Sequence, residues 1–226
     1  ENFIFFLVAV LVYVYPLTLA DYFYVEDSFR AAYGYASWRA EGRFLIDGFY
    51  HFLSLSNGAP DSSPLGLLVA CVVMATALEK LAFHYFCHVN VFSSMVVLPV
   101  FFSPLFLSDL AYKYDGPVMT VGLAMMVFAI TFKSERKWLE WWGSTLLVGS
   151  ALCIYQPLIN AFFGLCCIEL YRAIKDKKAT REWVMLGLEK AVQAGVASLF
   201  YLCAIVPFMG TERQQLLALD KDWPVV

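Results

Sequence analysis

The chain has 226 residues, of which 61% are apolar and 15% charged, and its formal net charge is −3. Soluble domains carry roughly 45–50% apolar residues, so this composition belongs to an integral membrane protein. The negative balance, with no basic stretch interleaved with aromatics, excludes a nucleic-acid groove.

A helix needs about 20 apolar residues to cross the hydrocarbon core. Charge-free windows of that order occur at 2–20, 62–78, 89–108, 116–132, 141–168 and 191–211. The six cysteines fall in apolar stretches without C-x-x-C pairing and read as packing residues. A chain that lacks an initiator Met and stops just after Trp223-Pro224 is expected to be the N-terminal part of a longer protein, with 1–226 forming one transmembrane domain.

Between the first two windows lies the longest polar loop, 21–63, which holds nine acidic or basic side chains. Charge inside hydrocarbon costs several kcal/mol, so a polytopic protein places such a loop at the membrane surface. Within it, Phe44, Leu45, Gly48, Phe49, Phe52 and Leu53 recur at helical spacing, which predicts a surface helix with those side chains toward the bilayer. Asp47, Tyr50, His51 and Ser54 lie off that stripe. A second surface helix is expected over 28–41, with Phe29, Tyr33 and Trp38 toward lipid, and Asn57-Gly58-Ala59-Pro60 forms a turn.

Asp27 has two readings. Before Ser-Phe-Arg it is a good helix N-cap. Beside Glu26 and three residues before Arg30, it is also half of an acidic pair with a guanidinium, able to hold a phosphate oxygen and accept a hydroxyl proton.

Further along, Lys133, Arg136 and Lys137, and then Arg172, Lys175, Lys177, Lys178, Arg181 and Lys190, mark two cytoplasmic flanks by the positive-inside rule. An even number of crossings must separate them, so 141–168 is expected to be a helical pair turning at Tyr155-Gln156-Pro157, where proline interrupts the helix. The count is then about seven crossings, with loop 21–63, loop 109–115, the turn near 155–157 and the tail 212–226 on the outer face. His84 and His88 stand four apart, a metal-pair spacing, but at the cytoplasmic interface and away from the outer loops. No metal or other cofactor is required by this inventory.

The run Glu26-Asp27-x-x-Arg30, then Gly42-Arg43, Asp61-Ser-Ser-Pro64-Leu65, Ser103-Pro104 through Asp109, Tyr112-Lys113 and Asp115, and finally Tyr155-Gln156-Pro157-Leu-Ile-Asn160, resembles the Gtr-type serotype-converting glucosyltransferases of bacteria and their phages. The likeness covers about residues 1–170. It departs from the family pattern in having Glu26-Asp27 where Asp-Asp is usual.

The resemblance implies an all-α, GT-C-like polytopic bundle in the bacterial inner membrane. It implies transfer of a hexose, glucose by the family's name, from a polyprenyl-phosphate carrier to O-antigen or another surface glycan. Asp27, with Glu26 beside it, is then expected to be the catalytic acid pair, with Arg30, Arg43 and Lys113 on the donor phosphate. Asp61, Asp109, Asp115 and Gln156 are further candidates for substrate binding, and no metal site is implied. The partners are the donor lipid, the glycan acceptor and the bilayer. The main rival is a transporter or flippase, which calls for ionisable groups or broken helices at the bilayer midplane.

Overall fold

The structure, a computed structural model, describes residues 2–20, 22–24, 27–34, 38–55 and 58–209, with side chains to 205. Glu26, Asn57 and the tail 212–226 therefore lie outside the described residues. The described residues are helical, with no strand among them. Ten α-helices follow in order: α1 Asn2–Ala20, α2 Asp27–Tyr33, α3 Phe44–Ser54, α4 Leu65–Tyr85, α5 Val91–Val97, α6 Pro104–Leu110, α7 Asp115–Thr131, α8 Lys137–Leu152, α9 Ile159–Lys175 and α10 Thr180–Met209.

Among the described residues, four helices are long and apolar enough to cross a membrane: α1, α4, α9 with its preceding turn, and α10. A fifth candidate is the pair α5–α6, which bends by 64°. The bend has a sequence cause. Pro99 and Pro104 lie on either side of the break, and Ser103 is held extended ahead of Pro104. The window 89–108, expected to be one span, is therefore a broken one. The window 141–168 divides into α8 and α9 through the 3-10 turn Gln156–Leu158, at the proline that predicted the break.

These helices keep apolar side chains on both faces. In α1, Phe6, Val10 and Val14 are buried at four-residue spacing, while Ile4, Val8, Val12 and Leu19 are more than half exposed. That surface suits lipid and not water. Lipid removes the hydrophobic drive between spans, so contact relies on small residues and local polar bonds. α4 packs through Ala70, Ala75, Ala77 and Ala82, and α7 through Gly122, Ala124 and Ala129. Ser144 Oγ donates to the Ala129 carbonyl at 2.7 Å, tying α8 to α7.

The two ends of the bundle differ in charge. At one end, His84 Nε2 lies 3.0 Å from Glu169 Oε1, and Arg172 donates to the His84 carbonyl. Gln193 of α10 donates to the Trp141 carbonyl at the start of α8. The basic residues 133–137 and 172–181 cluster around this end. The opposite end carries the loop 22–63, which folds onto the bundle instead of floating beside it.

That docking corrects two expectations. Trp38 is fully buried and does not face lipid, because it stacks on Tyr50 with ring centroids 5.4 Å apart and its indole N–H reaches Asp115. The helix over 28–41 is shorter than expected, ending at Tyr33. In α3, Ile46 and Tyr50 are buried and Leu45 and Phe49 of the apolar stripe pack against the same core, while Phe52 of that stripe is 81% exposed, so the stripe rests partly on protein. Trp38, Ile46, Tyr50, Tyr114, Val118 and Ile154 form a core of their own. Each such side chain withdrawn from water contributes about 1.5–3 kcal/mol, so the docked loop is held by the hydrophobic effect that the spans lack.

The α6–α7 junction is tight. A Cβ on Gly116 would stand 3.0 Å from both the Leu110 Cα and its carbonyl oxygen. Backbone yields poorly, so Gly116→Ala is expected to destabilise the protein by about 1–3 kcal/mol. Gly164→Ala, where a Cβ meets nothing within 4 Å, is the matched control expected to stay near wild type. Thermal unfolding of both variants in the same detergent checks this.

Candidate functional site

The loop-bearing end of the bundle, opposite the basic residues, is assembled from four segments that are distant in sequence. The first is the start of α2. Asp27 is 1% exposed, and its carboxylate accepts backbone N–H bonds from Lys113 at 2.6 Å, Tyr24 at 3.3 Å and Tyr114 at 3.4 Å. The N-cap expectation is not met, because none of these three N–H groups belongs to α2. The carboxylate satisfies N–H groups of its own approach and of the turn before α7, 86 residues away.

The second segment is the turn over 38–42. Three backbone bonds close it, from Glu41 and Arg43 to the Trp38 carbonyl and from Gly42 to the Arg39 carbonyl. Gly42 has φ +76°, and a Cβ there would come within 2.8 Å of Tyr201 Oη and Ile205 Cδ1. Only glycine suits both the conformation and the approach. The third segment, 109–115, ends α6 and opens α7. The fourth is the 153–158 turn, where Gln156 donates to the Glu41 carbonyl at 3.2 Å and to the Tyr201 hydroxyl.

Together they enclose a polar cavity of about 220 Å³, lined by Glu41, Arg43, Asp109, Tyr112, Asp115 and Tyr155 over Met119. Arg43 is its centre of charge. Its guanidinium lies 3.4 Å from Glu41 Oε2 and 3.9 Å from Asp115 Oδ2, and 5.2 Å from the Tyr155 ring centroid. Asp115 is fixed on its other side by the Trp38 indole. No hydrogen bond or ion pair engages the Asp109 carboxylate among the described residues. With three carboxylates against one guanidinium, the cavity is net acidic. It offers acceptors and donors at several angles and two aromatic faces, the inventory that binds a polyhydroxylated ring.

A second, smaller cavity of about 140 Å³ lies on the far side of Tyr112, between the outer ends of α1 and α4. Lys113 borders it, and the Lys113 ammonium lies 3.0 Å from Asp61 Oδ2 and 4.4 Å from the Phe23 ring centroid.

The sequence profile described as "Glucosyl transferase GtrII" matches residues 15–210. The chain belongs to the GtrII glucosyl transferase family. A relative from Salmonella phage P22, named "Uncharacterized 55.3 kDa protein in gtrB 5'region", is 27% identical over 157 residues. That match covers 70% of this chain but 32% of the relative, so the chain spans about a third of that protein's length. No solved structure matches.

In this GtrII-family chain, Arg43, Asp109 and Asp115 meet in one cavity as neighbours, with Gln156 at its edge. Lys113 and Asp61 form a pair beside it. Arg30 is not at either cavity's lining; its guanidinium lies 4.2 Å over the Trp38 ring, where it supports the indole that holds Asp115. Glu26 lies outside the described residues. Sequence reasoning missed Glu41, Tyr112 and Tyr155 as lining residues, although all three stand within or next to the motifs that carried the resemblance.

Burial is the main cause that raises the Asp27 pKa, with the Asp115 charge adding to it, against the lowering effect of the Lys113, Tyr114 and Tyr24 N–H bonds. A carboxyl whose folded-state pKa is raised stabilises the protein fully below its unfolded value, about 3.9, and that contribution is lost as pH rises through the folded value. Thermal stability is therefore expected to decline with rising pH across that window, and Asp27→Asn to lack this component. Asp27→Ala strips acceptors from buried N–H groups and is expected to cost about 1–3 kcal/mol at any pH. Melting curves of the three proteins from pH 4 to 7 check both statements.

Proposed function

We infer that this protein is a membrane glycosyltransferase that moves a hexose, glucose by its family, from a polyprenyl-phosphate carrier to O-antigen or another surface glycan. It acts at the extracytoplasmic face of the bacterial inner membrane. The observation that carries this reading is the acidic, aromatic-walled cavity built by Glu41, Arg43, Asp109, Asp115 and Tyr155 at the end of the bundle opposite the basic residues. Counting α5–α6 as one pass and α7 and α8 as short spans gives seven, and with that count the positive-inside rule supports an extracytoplasmic cavity.

The chemistry follows from the groups present. An acceptor hydroxyl attacks the anomeric carbon, the bond from that carbon to the phosphate oxygen breaks, and the hydroxyl proton passes to a carboxylate. Because an ordinary carboxylate is a far weaker base than an alkoxide, proton transfer accompanies attack. In a single displacement the anomeric configuration inverts. The leaving lipid phosphate gathers negative charge and needs a cation nearby.

Asp27 was expected to be the base. It is 1% exposed, serves three N–H groups and borders neither cavity. Asp109, facing the acidic cavity with no hydrogen bond to its carboxylate among the described residues and Arg43 near enough to act on its charge, fits the role better, while Arg43, Glu41 and Asp115 orient the sugar hydroxyls. Asp27 then keeps the 109–115 segment in place.

The test is transfer of labelled glucose from undecaprenyl-phosphate-glucose to O-antigen by membranes holding the full-length protein. Wild type is expected to transfer, and Asp109→Asn to lose at least about a hundredfold in rate, the span typical of a lost general base. Asp27→Asn and Glu26→Gln are expected to lose much less. Full activity of Asp109→Asn alongside an inactive Asp27→Asn returns the base to Asp27, and no transfer by wild type contradicts the function.

A further inference from the structure

Gly42 stands between Glu41 and Arg43, the pair that brings opposite charges into the acidic cavity, and two side chains from other elements close on it. A Cβ there would lie 2.8 Å from the Tyr201 hydroxyl and 3.4 Å from Gln156 Nε2. The Gln156 amide spans the gap, donating to the Glu41 carbonyl at 3.2 Å and to the Tyr201 hydroxyl. The internal bonds of the 38–42 turn, to the Trp38 and Arg39 carbonyls, fix its shape but not its distance from the 153–158 turn. That distance rests on bonds between the two, among them the Gln156 bridge and the Leu45 N–H to the Cys153 carbonyl at 3.3 Å.

Tyr201 belongs to α10, and α10 is closely seated on α8. Beside it in sequence, Phe200 comes within 3.0 Å of where a Cβ on Gly149 would stand, and two turns earlier Gln193 donates to the Trp141 carbonyl. A hydroxyl on such a helix is a fixed point, whereas a glutamine amide left to itself turns broadly about its last torsion. Resting on the glycosyl-transfer reading, we propose that Tyr201 is a positioning residue for the reaction: its hydroxyl holds the Gln156 amide, and through it the turn that carries Glu41 and Arg43. Tyr201 lines neither cavity and acts only through Gln156. The sugar is oriented by the groups on that turn, and attack on the anomeric carbon needs hydroxyl, carbon and phosphate oxygen in line. A misplacement of about 1 Å in such a frame costs about a hundredfold in rate.

The test compares wild type, Tyr201→Phe, Gln156→Leu and the double variant as full-length proteins, by steady-state transfer from undecaprenyl-phosphate-glucose and by amide hydrogen exchange in nanodiscs. Tyr201→Phe keeps the ring and loses only the hydroxyl. It is expected to lower kcat about tenfold or more, to leave KM for the donor within about twofold, and to melt near wild type. The double variant is expected to be no slower than Gln156→Leu alone, because the hydroxyl acts only through the amide. The Glu41, Gly42 and Arg43 amides are expected to exchange faster in both single variants than in wild type. An unchanged kcat in Tyr201→Phe, whatever its melting temperature, overturns the role and leaves the transferase reading standing. Losses that multiply in the double variant also overturn it. If wild type transfers nothing, the reaction falls and exchange alone decides: faster exchange at 41–43 in Tyr201→Phe supports its hold on the turn, and equal exchange overturns it.

Discussion

The loop-bearing end of this protein depends on one buried carboxylate meeting two backbone N–H groups from another part of the chain. Where α6 ends and α7 begins, the N–H groups of Lys113, part-buried, and Tyr114, buried, lie in the turn between the two helices and need acceptors. Asp27 supplies them. Leaving such groups unpaired is far more costly than the net gain from pairing them, so the contact dictates where the loop sits. Once α2 is held there, Arg30 lies over Trp38, Trp38 reaches Asp115, and the 38–42 turn carries Glu41 and Arg43 to the same place.

Two physical regimes therefore coexist along the bundle axis. Between the spans, lipid is as apolar as leucine, and the helices associate through alanines, glycines and isolated hydrogen bonds. At the outer end, water restores the hydrophobic effect, and a compact aromatic core of Trp38, Tyr50 and Tyr114 docks the loop. The polar cavity lies at the boundary of the two regimes. For the proposed reaction between a lipid-anchored donor and a water-borne glycan, that boundary is where both reactants could be reached.

Much of the fold was legible in the sequence because the membrane imposes long charge-free segments. The windows 2–20, 62–78 and 116–132 became α1, most of α4 and α7, and proline marked both internal breaks. What could not be read was the partner of the loop. Periodicity told that 44–53 is helical but assumed that its whole apolar stripe faces lipid, whereas Leu45 and Phe49 pack with Ile46 and Tyr50 against protein. Trp38 was assigned to the bilayer for the same reason, since its true contact, Asp115, lies 77 residues away and leaves no local trace. The site was legible in composition more than in role. Arg43, Asp109 and Asp115 were named and do meet, but Glu41 and Tyr155 were not singled out, and the distant turn that the Asp27 oxygens serve left no local trace.

The central claim, that Asp27 builds the outer site by holding the 109–115 turn, is tested most directly by hydrogen exchange at the Lys113 and Tyr114 amides in nanodiscs. Both amides are expected to be strongly protected in the wild type and to exchange rapidly in Asp27→Ala, while amides within α4 keep their protection. Equal protection of Lys113 and Tyr114 in the two proteins would contradict it.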